Sequence, residues 1–444
     1  MKLVHAFSLK GGESVAFIGA GGKTSAMFAL AKELTPPVVL TTTTHLGAWQ
    51  AALADSHYIL NTRQDIPDLD NPRTGTVLLT GPPGEDERLG GLSDGLLAHV
   101  RAHCLENSLS LLIEADGARQ RALKAPADHE PVIPDWVDQV VVMAGLGGIG
   151  KPLTEAFVHR PQIFSALSGL PEGKQIDEDA LLAVLTSPQG GLKGIPEDAR
   201  RLLFLNQAEG DILPAKARGM SHSLVGVYDR VLIGSIQNPG QEGPIFSASS
   251  PVAGVLLAAG GSERLGRPKQ LLDWKGRTFV ETVAQAGLAA GLAPLIVVTG
   301  AHHQAVEAAL AGLPVVCVYN PDWAGGQASS MHKGLMALPE DCDRVMFLLS
   351  DQPQVSPLLI RSLVERHDTY RKPITVPLVN GQRGNPVLFD RLTFPALREI
   401  EGDRGGRAVF KLFDVDYVPW VDDRIMLDVD REGDEERLRE AYGL

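Results

Sequence analysis

Short apolar runs and amphipathic stretches alternate along the chain. In the first half, the candidate strands are roughly Val15 to Ile18 and then the runs PVVLTTTT, TVLLTG, SLLIEADG, QVVVMAG and RLLFLNQ. Between them lie stretches with helical periodicity, such as Ser25 to Leu34 and Leu96 to Leu105. Strands that are apolar throughout and separated by helices are typical of mainly parallel sheets. The pattern therefore predicts an α/β fold.

The alternation is interrupted once and then resumes. Residues Ile236 to Gly254 are rich in Gly, Pro and Ser, which favours a linker. Further strands are expected at Val252 to Ala259 and at the runs PLIVVTG, LPVVCVYN and RVMFLLSD. The matching helices are expected near Phe279 to Ala290, Gln304 to Leu310, Ala328 to Ala337 and Pro357 to Arg366. We predict two α/β domains, residues 1–237 and 252–444, joined by a linker at 238–251.

Bulk composition narrows the class of protein. A chain of 444 residues is too long for one ordinary core, which agrees with two domains. The formal net charge of -13 argues against sequence-independent binding of nucleic acid but allows a local nucleotide site. The three cysteines lack paired spacing, and no apolar run approaches the ~18 residues of a membrane span. We expect a cytoplasmic protein with neither nucleic-acid nor membrane partners.

One strand of the second half opens directly into glycines and cations. In the stretch VLLAAGGSERLGRPKQLL, the apolar run reaches Gly260 and Gly261, and Arg264 and Lys269 follow. Glycines allow a sharp turn with outward-pointing amides, which suits a phosphate. Arg264 can clamp phosphate oxygens, and Lys269 can offset the charge that grows on an attacked phosphorus. A glycine pair alone would favour a simple turn with solvated cations.

The whole string decides between these interpretations. LAAGGSERLGRPKQLL resembles the L-A-A-G-x-S-x-R-M-G-x-x-K-x-L-L signature of nucleotidyltransferases that act on molybdopterin, in particular the molybdenum cofactor cytidylyltransferases. Leu265 replaces the usual Met. The resemblance covers residues 251–444 and implies a Rossmann-like nucleotidyltransferase domain. It implies that nucleotide or acceptor is bound by Ala259, Gly260, Gly261, Ser262, Gly326, Ser329, Ser330 and Arg383.

The same resemblance implies a magnesium site. Asp351, at the end of FLLSDQP, would hold the Mg²⁺ that bridges the triphosphate, although an Asp after an apolar run is by itself more often a cap or turn residue. The segment MLDVDREGDEERL resembles the family's closing turn and implies Asp430 as second ligand, with Asp428 in reserve. Arg431 and Glu432 stand where Thr-Pro is usual, so this turn departs from the family pattern.

The implied reaction is transfer of CMP from CTP to molybdopterin with release of pyrophosphate. Lys269, Arg264 and Asp351 would be the catalytic residues. The terminal phosphate of molybdopterin is already an anionic nucleophile, so placement and charge neutralisation suffice. GTP or ATP could replace CTP. The alternatives are a sugar-phosphate nucleotidyltransferase and a non-catalytic chaperone that carries the finished cofactor.

A second glycine loop lies near the start of the chain. In VAFIGAGGKTSAMFALAKEL, Gly22, Lys23 and Thr24 open a helix, so amides and the helix dipole face an anion. Lys23 can reach the distal phosphates and Thr24 can bind Mg²⁺, with Gly19 and Gly21 in the bend. The loop is a short G-x-x-G-K-T and not a full Walker A. It indicates a domain like the P-loop nucleoside triphosphatases.

Later runs add possible partners for this loop. LLIEADGA has the form of a Walker B strand, with Glu114 or Asp116 on the metal. The hydroxyls of residues 42–44 are either a phosphate sensor or an ordinary strand edge. LLFLNQAEG resembles the N-K-x-D base-reading motif through Asn206, but Gln207 and Glu209 replace Lys and Asp.

Residues 1–235 as a whole resemble the YqeC-type accessory proteins of selenium-dependent molybdenum hydroxylases. The shared motifs include LKAPADHEPVIP and GKPLTEAFVHRP, which contain His129, Glu130, His159 and Arg160. Each of these four could bind a ligand or be a packed polar group. The resemblance implies a client hydroxylase of the xanthine dehydrogenase type, so the chain would join two modules of molybdenum cofactor maturation.

Overall fold

A computed structural model describes residues 1–9, 11–69, 75–84, 88–262, 265–340, 342–370, 372–429, 431 and 433–443. The chain divides into two compact units, Met1–Ser250 and Pro251–Leu444. Each unit has its own sheet and its own buried apolar clusters. Over the described ranges, none of the helices is both long enough and apolar enough to cross a membrane.

Elements of the first unit are numbered along the chain. Over its described residues the strands are β1 (Ser14–Gly19), β2 (Val38–Thr42), β3 (His45–Leu46), β4 (Ser56–Ile59), β5 (Thr76–Pro83), β6 (Leu89–Gly90), β7 (Ser110–Glu114), β8 (Leu123–Lys124), β9 (Gln139–Gly145), β10 (Val158–His159), β11 (Arg200–Asn206), β12 (Arg230–Gly234) and β13 (Ile245–Ser249). The helices are α1 (Leu3–Ala6), α2 (Lys23–Ala31), α3 (Asp94–Glu106), α4 (Pro161–Ser168), α5 (Glu178–Thr186) and α6 (Ile212–Leu224).

The main sheet of this unit is parallel around its central strand. Its order is β13-β12-β11-β9-β1-β7-β2-β5-β6-β3, with β4 also paired to β5, and the neighbours from β12 to β5 run parallel. Along β1, Val15 and Phe17 pack into one apolar cluster while Ala16 and Ile18 pack into the other. Both faces are thus buried, which explains why the strand is apolar throughout. The predicted mainly parallel α/β fold is confirmed.

The segment predicted to be a linker contributes a strand to this sheet. Within residues 238–251, Ile245–Ser249 forms β13, which pairs antiparallel with β12. Ile245 and the alternate residues Ser247 and Ser249 are buried, whereas Phe246 is exposed. The N-terminal ammonium of Met1 donates to the Ile245 carbonyl oxygen at 2.9 Å. Glycine and proline content obscured this two-residue alternation of an edge strand.

The second unit continues the numbering. Over its described residues the strands are β14 (Val252–Ala258), β15 (Asp273–Trp274), β16 (Arg277–Thr278), β17 (Leu292–Thr299), β18 (Val316–Tyr319), β19 (Arg344–Leu349), β20 (Ile374–Val379), β21 (Gln382–Arg383), β22 (Val387–Asp390) and β23 (Val415–Pro419). The helices are α7 (Phe279–Ala289), α8 (His303–Ala309), α9 (Gln327–Met336), α10 (Pro357–Tyr370), α11 (Phe394–Arg398) and α12 (Asp434–Ala441).

The order of the second sheet creates the site. It is β18-β17-β14-β19-β22-β20-β21, with β23 on the other side of β20. Strands β17, β14 and β19 run parallel, and Leu257 of β14 pairs with Leu349 of β19. The segments that follow these two neighbours therefore leave the sheet at the same edge. Open α/β sheets bind ligands at the carboxyl ends of their strands.

Candidate functional site

A cavity of about 750 Å³ opens beyond the ends of β14 and β19. Among the residues predicted to bind substrate, it is lined by Ala259, Gly260, Gly261, Ser262, Lys269, Gly326, Ser330 and Asp351. The remaining lining residues are Leu257, Leu265, Gln270, Trp323, Ala324, Gly325, Gln327, Leu349, Ser350 and Asp403. The glycine bend and the acidic strand end thus meet in one cavity.

Lys269 and Asp351 form an ion pair inside this cavity. Lys269 begins a short 3-10 turn, and its ammonium group donates to Oδ2 of Asp351. The backbone amide of Lys269 donates to the hydroxyl of Ser262 at 3.0 Å. Both charged side chains are mostly buried, with 21% and 15% of their surfaces exposed. Low exposure strengthens the field that this pair presents to a bound anion.

Side-chain contacts fix the glycine bend at Gly260 and Gly261, which lines the same cavity as the Lys269–Asp351 pair. The Gln270 amide donates through Nε2 to the Gly260 carbonyl oxygen at 2.6 Å, and Gln270 is buried. A Cβ atom on Gly261 would lie 2.9 Å from the ring of Trp323. The close approach of this ring therefore requires glycine at position 261.

The acidic end of the cavity suits a magnesium ion. Oδ1 of Asp351 is buried and has no hydrogen-bond partner among the residues that the structure describes. Nε2 of the next residue, Gln352, donates to Oδ1 of Asp428 at 2.6 Å, so a second carboxylate contacts the neighbour of Asp351. The described ranges contain no cluster of three or more His, Cys, Asp or Glu residues arranged for a metal. Because Mg²⁺ commonly uses one or two carboxylates together with substrate oxygens and water, these residues fit it.

Some predicted residues have other surroundings. The Ser329 hydroxyl donates to the carbonyl oxygens of Asp322 and Gly326, both at 2.9 Å, so it braces a turn outside the cavity lining. The Arg383 guanidinium lies over the rings of Phe410 and Tyr417, at 5.3 and 5.6 Å from their centroids. Arg383 is likewise absent from the lining of the cavity.

Two predicted residues cannot be placed. Arg264 and Asp430 lie outside the described residues.

Trp323 and Asp403 also line the cavity, although the sequence analysis names neither of them as a site residue. Asp403 belongs to the segment GDRGGRAVF, whose glycines indicate a turn. An acid between glycines is a usable signal of a functional loop, but it does not say what the loop faces. Trp323 precedes the glycines of WAGGQASS, where an aromatic residue is equally compatible with core packing.

The glycine loop of the first unit is formed as the sequence predicts. Gly19, Gly21 and Gly22 have φ values of 88°, 83° and 112°, and α2 begins at Lys23. The Lys23 ammonium is only 4% exposed: it donates to the Gly19 carbonyl oxygen at 2.6 Å and lies 3.0 Å from Oδ1 of Asp116. The lysine therefore folds back over its own loop.

Two acids complete this cluster. The Thr24 hydroxyl donates to Oε2 of Glu114 at 2.6 Å, and the Gly19 amide donates to Oδ2 of Asp116 at 2.9 Å. Burial raises the pKa of Glu114. Burial by itself would lower the pKa of Lys23, but attraction by Asp116 and Glu114 outweighs it, so that pKa is raised. A hydroxyl and two carboxylates are ligands that suit Mg²⁺.

Asn206 connects the glycine loop to the backbone that follows β12. It is buried, its Nδ2 donates to the Gly21 carbonyl oxygen at 2.7 Å, and its Oδ1 accepts from the Ile236 amide at 3.0 Å. Both ends of the side-chain amide thus hold the loop to the sheet. The Thr42 and Thr43 hydroxyls also donate to backbone carbonyl oxygens, which agrees with a strand edge.

An ion-pair chain runs from the loop to the motif residues. Lys124 Nζ lies 2.8 Å from Asp116 and 2.6 Å from Glu130, and Arg160 forms a bidentate pair with Glu130 at 2.6 and 3.0 Å. Burial opposes ionisation of Glu130, but hydrogen bonds from Arg160 and Lys124 lower its pKa to about 2. Desolvation and nearby cations lower the pKa of His159 to about 4.

Comparison with known proteins divides the chain in the same way. Residues 15–162 match the family model described as YqeC protein, and residues 254–418 match the MobA-like NTP transferase domain. Nicotine blue oxidoreductase of Paenarthrobacter nicotinovorans is 36% identical over 182 residues, 39% of this chain and 86% of that protein. The uncharacterized protein YqeC of Escherichia coli K12 is 30% identical over 202 residues, 44% of this chain and 75% of that protein. A probable molybdenum cofactor guanylyltransferase of Bacillus cytotoxicus is 28% identical over 139 residues, 31% of this chain and 66% of that protein.

Proposed function

Because this chain belongs to the YqeC family in its first unit and to the MobA-like NTP transferases in its second, we propose that it matures molybdenum cofactor by nucleotidyl transfer. The proposed reaction of the second unit moves CMP from CTP to molybdopterin and releases pyrophosphate. The observation that carries this proposal is the Lys269–Asp351 pair beside the glycine bend at the ends of two parallel strands.

The chemistry follows from charge and placement. A terminal phosphate oxygen of molybdopterin forms a bond to the α-phosphorus of CTP, and the bond between the α-phosphorus and the bridging oxygen to the β-phosphate breaks. The amides near Gly260 and Gly261 hold phosphate oxygens, and Lys269 stabilises negative charge at the reacting phosphorus. Since the nucleophile is already an anion, no side chain has to remove a proton.

Asp351, together with Asp428 or Asp430, is proposed to hold the metal of this site. When bound, Mg²⁺ would neutralise charge on the triphosphate and help pyrophosphate to leave. The buried Oδ1 of Asp351, without a partner among the described residues, supports this assignment.

For the first unit we propose nucleotide binding at the loop that contains Gly19, Gly21, Gly22, Lys23 and Thr24. Lys23 would turn from Asp116 towards the distal phosphates, because these offer a larger negative charge than one carboxylate. Thr24, Glu114 and Asp116 would then hold Mg²⁺. From the motif resemblance of residues 1–235 we further propose that the client of the matured cofactor is a molybdenum hydroxylase of the xanthine dehydrogenase type.

The donor nucleotide is the least constrained part of the proposal. CTP is proposed from the signature at Leu257 to Leu272, while the relative named as a guanylyltransferase makes GTP the main competing donor. The relative named as an oxidoreductase acting on nicotine blue suggests redox chemistry instead. Two further candidate functions are those of a sugar-phosphate nucleotidyltransferase and of a chaperone that carries the finished cofactor.

The first test is a substrate panel on the full chain. The protein is incubated with Mg²⁺, molybdopterin and labelled CTP, GTP or ATP, and pyrophosphate and the dinucleotide product are measured. We expect both products with CTP. Hexose phosphates as acceptors test the sugar-phosphate function. Absence of pyrophosphate with all three nucleotides would leave the chaperone.

Lys269→Ala tests the role of the ion pair. We expect turnover to fall by roughly 100-fold or more, with a much smaller change in CTP affinity, because the lysine acts mainly on charge that develops during the reaction. Lys411→Ala, which removes an exposed lysine outside the cavity lining, is the matched control. Equal losses in turnover and affinity would contradict a transition-state role.

A further inference from the structure

The cavity of the second unit contains a third charged residue whose task the reaction does not explain. Its charged lining residues, within the described ranges, are Lys269, Asp351 and Asp403. Lys269 and Asp351 pair with each other. The side chain of Asp403 is exposed and has neither an ion pair nor a hydrogen bond to the described parts of the chain.

Beside bound phosphates, a carboxylate is better accommodated by a ligand group that donates hydrogen bonds than by another anion. The cavity is proposed to receive a triphosphate and a phosphorylated acceptor. Both are anions, and the Asp403 carboxylate would repel them. A carboxylate accepts hydrogen bonds through two neighbouring oxygens and donates none. Its natural partner in the cavity is therefore a neutral or cationic group with adjacent N–H or O–H donors.

Backbone packing holds Asp403 at this wall. A Cβ atom on Gly326 would lie 2.5 Å from the Gly402 carbonyl carbon and 2.8 Å from the Asp403 nitrogen. The Ala328 amide donates to the Gly402 carbonyl oxygen at 3.1 Å. The segment at the start of α9 and the segment around Gly402 are therefore in contact through their glycines. Asp403 directly follows Gly402 at this contact.

An aromatic ring lines the same wall. Trp323 is three positions before Gly326, its ring lies against Gly261, and it is half-buried. Trp323 is one of the residues that line the cavity. Aromatic rings bind flat heterocycles by stacking, and every nucleobase has such a π-face. The ring therefore favours a heterocycle over a sugar diol as the partner of Asp403.

We propose that Trp323 and Asp403 bind the 2-amino-4-oxopyrimidine edge of a planar heterocycle, the edge that pterin and guanine share. This edge presents an amino group beside a ring N–H, so both carboxylate oxygens can accept. Cytosine and adenine present an amino group beside an acceptor nitrogen, which would face a carboxylate oxygen. The proposal rests on the proposed function, and with CTP as donor the bound heterocycle is the pterin of the acceptor.

Binding of pterin and lumazine to the full chain tests whether the protein recognises the 2-amino-4-oxopyrimidine edge. Pterin is compared with lumazine, in which an oxo group replaces the 2-amino group, by fluorescence titration. We expect pterin to bind roughly tenfold or more tightly than lumazine, and Asp403→Asn to remove that preference. Asp322→Asn, which changes an exposed acid outside the cavity lining, is expected to keep it. Equal affinities of the unmodified protein for pterin and lumazine would overturn the proposal.

Kinetics distinguish the two possible sources of the edge. A roughly tenfold rise in KM for molybdopterin in Asp403→Asn, with turnover and KM for CTP unchanged, identifies the pterin. A rise in KM for GTP in the same variant, with the KM values for CTP and ATP unchanged, identifies guanine as the bound heterocycle. An equal rise for all three nucleotides would show contact with ribose or phosphate and refute the proposal.

Two further variants test whether the Trp323 ring binds the heterocycle by stacking. Trp323→Phe is expected to retain most of the pterin affinity, and Trp323→Leu to lose it, because only the former keeps an aromatic face. The pterin and lumazine titrations need no turnover, so failure of nucleotidyl transfer and failure of this inference give different results.

Discussion

At the scale of single residues, both units hold their key lysine with an acid from a neighbouring strand end. Lys269 pairs with Asp351 in the second unit, and Lys23 lies 3.0 Å from Asp116 in the first. A free ammonium group in a mostly buried site would be costly, so each acid offsets the charge of its lysine. We infer that an incoming phosphate competes with the carboxylate for the same lysine.

His159 is a residue whose contribution to stability should depend on pH. The titratable and charged groups that act on it are Arg160, Lys124, Glu130 and Arg119, and three of these four are cations. Its folded-state pKa of about 4 lies below its unfolded value, so the neutral form stabilises the fold. That contribution is complete above about pH 6.5 and is lost as the pH falls towards 4.

We therefore expect His159→Gln to reduce the loss of stability between pH 7 and pH 5 by about 1 kcal/mol, after discounting for partial exposure. Urea unfolding at the two pH values measures this. The same substitution at His129, whose side chain is 78% exposed, serves as the comparison. An unchanged pH dependence in the His159 variant would show that the cations around it do not disfavour its protonated form.

At the scale of elements, the turn from β1 into α2 requires glycine at position 21, as it does at position 19. A Cβ atom on Gly21 would lie 2.3 Å from the backbone nitrogen of Gly145 and 2.9 Å from the Ala122 carbonyl oxygen. Its φ of 83° is itself unfavourable for other residues. Since these neighbours are backbone atoms of β9 and of the segment before β8, they cannot rotate away.

Gly21→Ala should therefore destabilise the first unit by about 3 kcal/mol or more and abolish nucleotide binding there. Thermal unfolding and nucleotide titration provide the measurements. Gly11→Ala isolates the conformational cost, because Gly11 has a φ of 90° with nothing within 4 Å of its added Cβ. Similar losses in both variants would mean that the contact with β9 relaxes easily.

At the scale of the whole molecule, β13 decides where the first unit ends. A chain of residues 1–237 lacks β13 and leaves the edge of β12 unpaired, whereas a chain of residues 1–250 keeps it. Unpaired strand edges promote association. We expect the longer chain to be monomeric and cooperatively folded, and the shorter one to aggregate.

Gel filtration and circular dichroism of the two chains test this boundary. Equal solubility and equal melting temperatures would show that residues 245–249 contribute little to the fold. Such a result would restore the predicted boundary at 237 and the interpretation of 238–251 as a linker.

Much of the architecture could be predicted because it is local. Buried parallel strands are apolar throughout, so the runs that became β1, β7, β9, β14 and β19 were visible along the chain. The glycine bends after β1 and β14 could also be predicted, because the conformational freedom of glycine is a local property. The strand β13 was not, since only pairing with β12 explains the burial of its small polar residues.

The site was predictable only in part because its contacts join distant residues. Lys269 and Asp351 were expected to cooperate, and the sheet order places them together. Asn206 was expected to face a nucleotide, whereas the contacts that join it to the Gly21 carbonyl oxygen and the Ile236 amide could not be read from the sequence. Asp403 was not named as a site residue, since the sequence around it does not say that its loop touches Gly326.

The sequence by itself determined which segments become strands and helices and where the chain must bend, because side-chain periodicity and glycine act over a few residues. The tertiary structure decided which side chains line a cavity and which make hydrogen bonds that stabilise the surrounding turns. That division depends on strand order and on contacts between segments far apart in the chain. Lys269 and Ser329 are both polar residues beside glycines, yet one lines the cavity and the other braces a turn.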